Sequence, residues 1–171
     1  MSKLSQKVEL TANILIIVFA LLLGGILVQK YFFAQPTAAN QPPRLEPKVG
    51  SKMEVRNVNW SGQPRTLILA LQMGCHFCNE SAPFYKRVIE TVRNKNVKLV
   101  AVFPTEIEKS AAHLKDLGLT NIEVKQSSLG SLQVNGTPTL ILTNDKGEVT
   151  DYWVGKLPAD KETEVINKLN S

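Results

Sequence analysis

The residues best suited to chemistry are Cys75 and Cys78, the only two cysteines in a chain of 171 residues. They lie in the stretch Gly74-Cys75-His76-Phe77-Cys78. The apolar run Leu67-Ile68-Leu69-Ala70-Leu71 leads into them, and a helix-like segment from Asn79 to Asn94 follows. Strand, Cys-x-x-Cys, helix is the expected order, with the first sulfur at the helix N-terminus. There the unpaired N–H groups and the macrodipole favour an anion. The thiolate is the reactive form of cysteine, so this placement lowers a thiol pKa and makes a nucleophile of Cys75. The chemistry implied is exchange between a dithiol and a disulfide. The bland alternative is a pair of buried packing cysteines, but packing alone does not select two lone thiols at this spacing before a helix.

Other uses of the pair fit poorly. Two cysteines within one turn cannot staple distant elements together, so a disulfide framework is excluded. Haem c attachment places His directly after the second Cys, where this chain has Asn79. A structural zinc site wants four Cys/His ligands. The only histidines are His76, between the cysteines, and His113, which reads as a surface or satisfied structural residue on a helix. No metal site is expected.

The hydrophobic fraction of 43% is ordinary for a globular chain, but much of it is concentrated in Ile14 to Val28. The net charge is +5; setting aside Lys3, Lys7, Lys30 and Glu9, which flank that run, leaves 17 basic and 14 acidic residues, or +3. No dense Lys/Arg cluster with interleaved aromatics occurs, so nucleic-acid binding is not expected.

Ile14 to Val28 carries no charge, and with Leu10 to Asn13 it reaches the ~20 residues of a membrane-spanning helix. Tyr31, Phe32 and Phe33 follow as interfacial aromatics. Residues 1–33 are read as a short cytoplasmic tail and an uncleaved transmembrane signal anchor. A cleaved signal peptide is the competing reading, with Thr37-Ala38-Ala39 as its site. Lys3 and Lys7 before the run, against Lys30 after it, place the N-terminus in the cytoplasm. The rest of the chain would then face the extracytoplasmic side, where disulfides persist. Residues 34–48, with Pro36, Pro42, Pro43 and Pro47, read as a semi-rigid linker. The domain is expected over 49–171.

Within that domain strands and helices alternate. Met53 to Val58 reads as a short strand and Thr66 to Gln72 as a central one. Ser81 to Val92 reads as a helix kinked by Pro83. Val97 to Phe103 is the next strand. Glu106 to Leu117 is an amphipathic helix with Ile107, Ala111 and Leu114 on one side and Gly118 as its stop. Ile122 to Lys125 is a short strand and Ser127 to Gln133 a short helix. Thr139 to Leu142 and Val149 to Val154 form a hairpin around Asn144-Asp145-Lys146-Gly147. Pro158 to Leu169 closes the chain as a helix. The fold class is α/β with a central mixed sheet.

From Val49 onward the chain resembles the thioredoxin superfamily, and within it the membrane-anchored TlpA/ResA-like thiol-disulfide oxidoreductases. The residues that carry the resemblance are Cys75-His76-Phe77-Cys78 between strand and helix, Pro83 five residues on, and Val134-Asn135-Gly136-Thr137-Pro138-Thr139. The resemblance implies a thioredoxin-like fold with a helix–strand insertion, here Thr105 to Lys125. It makes Pro138 the cis-proline beside the disulfide, with Thr137 before it, and places Gly147 and Gly155 at family glycines. Cys75 would be the exposed nucleophile and Cys78 the resolving thiol. Thr137 and Pro138 would present backbone to an incoming peptide as an added strand. Phe77, with Met73 and Trp60, reads either as an apolar substrate rim or as core. His76 either tunes the Cys75 pKa or is a solvated helix-start residue. No cofactor is implied beyond the redox-active disulfide.

The chain departs from the family at three points. Gly74 replaces the usual Trp before the first cysteine, and Leu69 stands where thioredoxin has a buried acid. His-Phe between the cysteines is neither the Gly-Pro of thioredoxin nor the Pro-His of the DsbA oxidants. The expected function is a membrane-tethered thiol-disulfide oxidoreductase of the periplasmic or extracytoplasmic side. It would act as a reductase on cysteines of other proteins there and be recycled by a membrane or soluble redox partner. Its competitors are a disulfide-forming oxidant and a Cu(I)-type metallochaperone.

Overall fold

The computed structural model describes residues 14–25, 45–55 and 58–171. They divide between two compact units, Met1–Pro43 and Arg44–Ser171. In the first unit, residues 14–25 form helix α1. Among the described residues no helix is long and apolar enough to cross a membrane. The rest of the expected span, its interfacial aromatics and residues 34–44 of the expected linker lie outside the described residues.

The second unit is built on a five-stranded sheet in the order β3-β2-β1-β4-β5. The strands are β1 (Arg65–Ala70), β2 (Val97–Phe103), β3 (Glu123–Gln126), β4 (Thr139–Asn144) and β5 (Val149–Val154). β1, β2 and β3 run parallel, while β4 is antiparallel to both β1 and β5. β1 and β2 are apolar at nearly every position because both of their faces are covered. Leu67 and Leu69 on one face meet Phe84, Tyr85, Val88 and Leu114 from the helices. These helices are α2 (His76–Glu80), α3 (Ala82–Val92), α4 (Ile107–Asp116) and α5 (Ala159–Asn170). The other face carries Ile68, Ala70, Val100 and Ile141, and among the described residues of this unit no α-helix contributes to the cluster on it. Met53, Val55 and Val58 from the segment before β1, with Leu132 and Val134 from the loop before β4, close it instead.

Several sequence expectations need correction. Met53 to Val58 is not a strand over its described residues. Only Lys52 forms an isolated bridge, to Glu148, and Met53 N–H donates to Gly147 O at 2.8 Å. The alternation of Met53 and Val55 records burial against the sheet face rather than ladder pairing. Pro83 does not kink one helix; the chain is interrupted at Ser81, and Pro83 falls in the first turn of α3, where its missing N–H costs nothing. The helix expected over Ser127 to Gln133 shrinks to a 3₁₀ turn, Gly130–Leu132. There Ser127, Ser128 and Ser131 bond locally to one another and to backbone, in competition with a longer helix. α4 buries Ser110 and Leu114, while Ile107 is 43% exposed. Ser110 can be buried because its hydroxyl donates to Glu106 O at 2.9 Å. α4 and β3 lie where the helix and strand of the insertion are expected, and β3 extends the sheet beside β2 through pairs such as Val100↔Glu123.

Candidate functional site

The register of the sheet assembles the site. β1 ends at Ala70, which pairs with Val102 of β2 on one side and with Thr139 of β4 on the other. Because β4 is antiparallel, the loop that enters it arrives beside the turn that leaves β1. That loop is Thr137–Pro138, and its peptide bond is cis. It is clipped on both sides: Thr139 Oγ1 donates to Gly136 O at 2.8 Å, and Gly155 N–H donates to Pro138 O at 2.7 Å.

The turn leaving β1 passes through Gly74 at φ +73°, and an added Cβ there would meet nothing within 4 Å. The glycine is required by backbone conformation rather than by space. A Trp at this position would be strained. Cys75 then caps α2, its sulfur accepting the N–H of Cys78 at 3.1 Å. The two cysteines form a disulfide with Cα atoms 5.2 Å apart, inside the ordinary range. Cys75 is half-buried, whereas Cys78 is only 2% exposed. The sulfur of Cys75 lies 3.4 Å from the carbonyl oxygen of Thr137, close enough for the reduced thiol to donate to it. Cys75, Cys78, Thr137 and Pro138 are therefore brought together as expected.

Phe77 is 54% exposed and Met73 38%, so both stand at the surface around the disulfide rather than in the core. Trp60 is different: it is half-buried, packs on the cluster of Met53 and Val55, and lies against Gly147, where a Cβ would come within 2.9 Å of its ring. A cavity of about 180 Å³ adjoins the Thr137–Pro138 loop, between Leu45, Pro47, Asn135, Gly136, Thr139 and Val154. Leu69 is wholly buried, and among the described residues no Asp or Glu is buried anywhere. A carboxylate beneath Cys78 is thus missing in space as well as in sequence.

His76, the first residue of α2, does not hydrogen-bond either sulfur. Its Nε2 lies 3.2 Å from Glu80 Oε1, one turn along the helix. Glu80 Oε2 in turn accepts from Lys156 Nζ at 2.9 Å. The Lys156 hydrogen bond is the main cause holding the Glu80 carboxyl below its ordinary pKa. Glu80 and Lys156 were not singled out from the sequence. The i, i+4 spacing of His76 and Glu80 is a usable signal; the contact with Lys156, 76 residues away, has none. His113 is half-buried and meets the edge of Phe103 at 6.5 Å, a packing role. Among the described residues no group of three or more His, Cys, Asp or Glu side chains could hold a metal ion.

No protein-family model matches the chain. No curated protein matches its sequence either. Its fold, however, is similar to that of many solved structures. A thiol-disulfide isomerase from Corynebacterium glutamicum superposes with a TM-score of 0.55 at 16% identity, over 78% of this chain and 98% of that one. A thiol:disulfide interchange protein from Bacteroides sp. gives a TM-score of 0.58 at 15% identity, over 73% of this chain and 92% of that one. The thioredoxin domain of a thiol-disulfide oxidoreductase from Bacteroides vulgatus gives 0.56 at 14% identity, over 74% of this chain and 100% of that one. Identities this low speak to architecture, and what they establish is the thioredoxin-like α/β fold; in this chain the Cys-x-x-Cys pair stands at the start of α2.

Proposed function

We propose that the chain is a thiol-disulfide oxidoreductase that works as a reductase on the extracytoplasmic side of a membrane, tethered by its N-terminal apolar run. The observation that carries the redox reading is the asymmetry of the pair: a half-buried Cys75 sulfur against the Thr137 carbonyl, with Cys78 buried behind it. In the reducing direction the Cys75 thiolate attacks one sulfur of a substrate disulfide. The substrate S–S bond breaks, its second sulfur leaves as a thiolate and takes up a proton, and a mixed disulfide remains at Cys75. The Cys78 thiolate then attacks Cys75 Sγ and releases the first substrate sulfur. Substrate gains two electrons, and the chain is left with the Cys75–Cys78 disulfide, which a dithiol partner must reduce. The Cys78 N–H aimed at Cys75 Sγ stabilises the thiolate on which the first step depends.

A substrate strand laid along Thr137 would set alternate side chains toward Phe77 and toward the cavity at Asn135 and Val154. The membrane tether rests on the sequence: an uncharged run from Ile14 to Val28 ahead of a proline-rich stretch. The extracytoplasmic placement rests on that tether and on where disulfides persist.

The test is a trap. In cells producing Cys78→Ser, the first step proceeds and the second does not, so partners accumulate as mixed disulfides on Cys75. Recovery of disulfide-linked extracytoplasmic proteins, lost on adding Cys75→Ala, supports the reading; no adduct at Cys75 defeats it.

A further inference from the structure

We infer that Glu80 is a positioning residue that keeps the Cys75–Cys78 pair reducing by engaging the imidazole of His76. The inference rests on the exchange function proposed above and names a control on that same site.

His76 directly follows the nucleophile, and a cation there would favour the Cys75 thiolate. Its hydrogen-bonding nitrogen, though, is 3.2 Å from Glu80 Oε1, and the side chain of His76 is 76% exposed, so no burial holds it elsewhere. The partners of Cys75 Sγ are the Cys78 N–H at 3.1 Å and the Thr137 carbonyl at 3.4 Å. Whatever positive charge His76 brings is thus matched by a carboxylate one turn along the same short helix. Lys156 fixes that carboxylate through its other oxygen, Oε2, at 2.9 Å. Lys156 follows Gly155, whose N–H is bonded to Pro138 O, so the anchor of Glu80 belongs to the same framework that holds the cis-proline loop. The chain His76–Glu80–Lys156 runs along the surface from α2 to the β5–α5 connection.

The consequence follows from which redox form carries the charge. The thiolate exists only in the reduced pair, and stabilising the reduced pair makes the couple more oxidising. A carboxylate that occupies His76 withholds that stabilisation. Glu80→Gln keeps the shape of the side chain, removes its charge and releases the imidazole.

The measurement is the dithiol–disulfide equilibrium of the full chain against glutathione, read by thiol alkylation. Glu80→Gln is expected to shift the equilibrium constant at least threefold toward the oxidising side, which is about 14 mV for a two-electron couple at ~30 mV per tenfold. In a His76→Ala background the same substitution should lose at least half of that shift. Glu162→Gln, which removes one charge from an ion pair with Arg87 between α3 and α5, serves as the control for net charge and should leave the constant unchanged. A shift below threefold, a shift of opposite sign, or an undiminished shift with His76→Ala overturns the inference. If wild type titrates normally while Glu80→Gln is inert, this inference fails and the exchange function stands; if the wild-type cysteines never pair, both fail together.

Discussion

β1 and β2 lie side by side and parallel, both buried almost end to end, and each hands the chain to a helix that packs on the same core. After β1 the chain turns through Gly74 into Cys75 and α2; after β2 it passes Pro104 and Glu106 into α4. The two turns differ in what stands across from them. β1 has the antiparallel β4 as its outer neighbour, so the start of β4 and the loop before it meet the end of β1 at Ala70↔Thr139. β2 has the parallel β3, so strand end meets strand end at Phe103↔Gln126 and no loop enters there. A reactive side chain at the first turn has a backbone carbonyl 3.4 Å away and a rim of exposed Phe77 and Met73. At the second turn, the side chain of the helix cap Glu106 makes no capping bond and pairs instead with Lys109 at 2.9 Å. Strand direction, more than helix identity, decides which turn can host exchange.

The largest effect expected from this contrast comes from placing serine at each cap. Cys75→Ser should lower disulfide exchange by at least about 100-fold, since the nucleophile is gone. Glu106→Ser should leave exchange within twofold and raise stability by about 0.5–1 kcal/mol, because Ser accepts from the first-turn N–H groups and Glu106 does not. Equal loss of exchange in both variants would erase the distinction between the turns.

Next in size is Leu69→Asp. It restores an acid where thioredoxin carries one, but in a site with no exposure at all. A loss of at least about 3 kcal/mol in urea unfolding is expected, because nothing there pairs a carboxylate. A variant as stable as wild type would mean that the core beneath the disulfide admits a charge.

Phe77 and Ile107 are the most exposed large apolar residues of the two turns, at 54% and 43%. Truncating either to Ala should change stability by under about 1 kcal/mol. Only Phe77→Ala should slow exchange with a disulfide in a protein substrate, by several-fold, while sparing a small disulfide. The same slowing with Ile107→Ala would move the substrate surface to α4.

The smallest effect is a pH dependence shared by both regions. At Glu123 burial raises the carboxyl pKa, but hydrogen bonds from Lys125 and Lys98 outweigh it; at Glu80 the Lys156 bond dominates, and both carboxyls end below their ordinary value of 4.5. The folded chain therefore binds these protons more weakly than the unfolded chain. Stability should hold above the ordinary value and decline as the pH falls through about 4.5 and below. Urea midpoints that rise on acidification would contradict this.

The parts of the molecule that were legible in the sequence are those whose signal is local. β2 appears over Val97–Phe103 as read, because a strand covered on both faces leaves an uninterrupted apolar run. The hairpin turn at Gly147 and the stop at Gly118 were marked by glycines with φ of +75° and +70°. Cys75 and Cys78 were singled out by their spacing, and Thr137 and Pro138 by the resemblance; the structure sets Cys75 Sγ 3.4 Å from Thr137 O. What stayed hidden depends on partners distant in the chain. The buried side of α4 could not be ranked without knowing that Ser110 satisfies its hydroxyl on Glu106 O. Met53 and Val55 alternate like a strand but face a sheet they do not extend. Glu80 carries no sequence signal of its contact with Lys156, 76 residues away.

The central claim, that Cys75 and Cys78 are a working exchange couple, is tested most directly by incubating the full chain across a range of reduced to oxidised glutathione and alkylating its free thiols. One cooperative transition is predicted, in which both thiols disappear together as a single two-electron step, at a potential on the reducing side of glutathione. Cysteines that remain free thiols across the whole range, or that pair only with glutathione and never with each other, would contradict it.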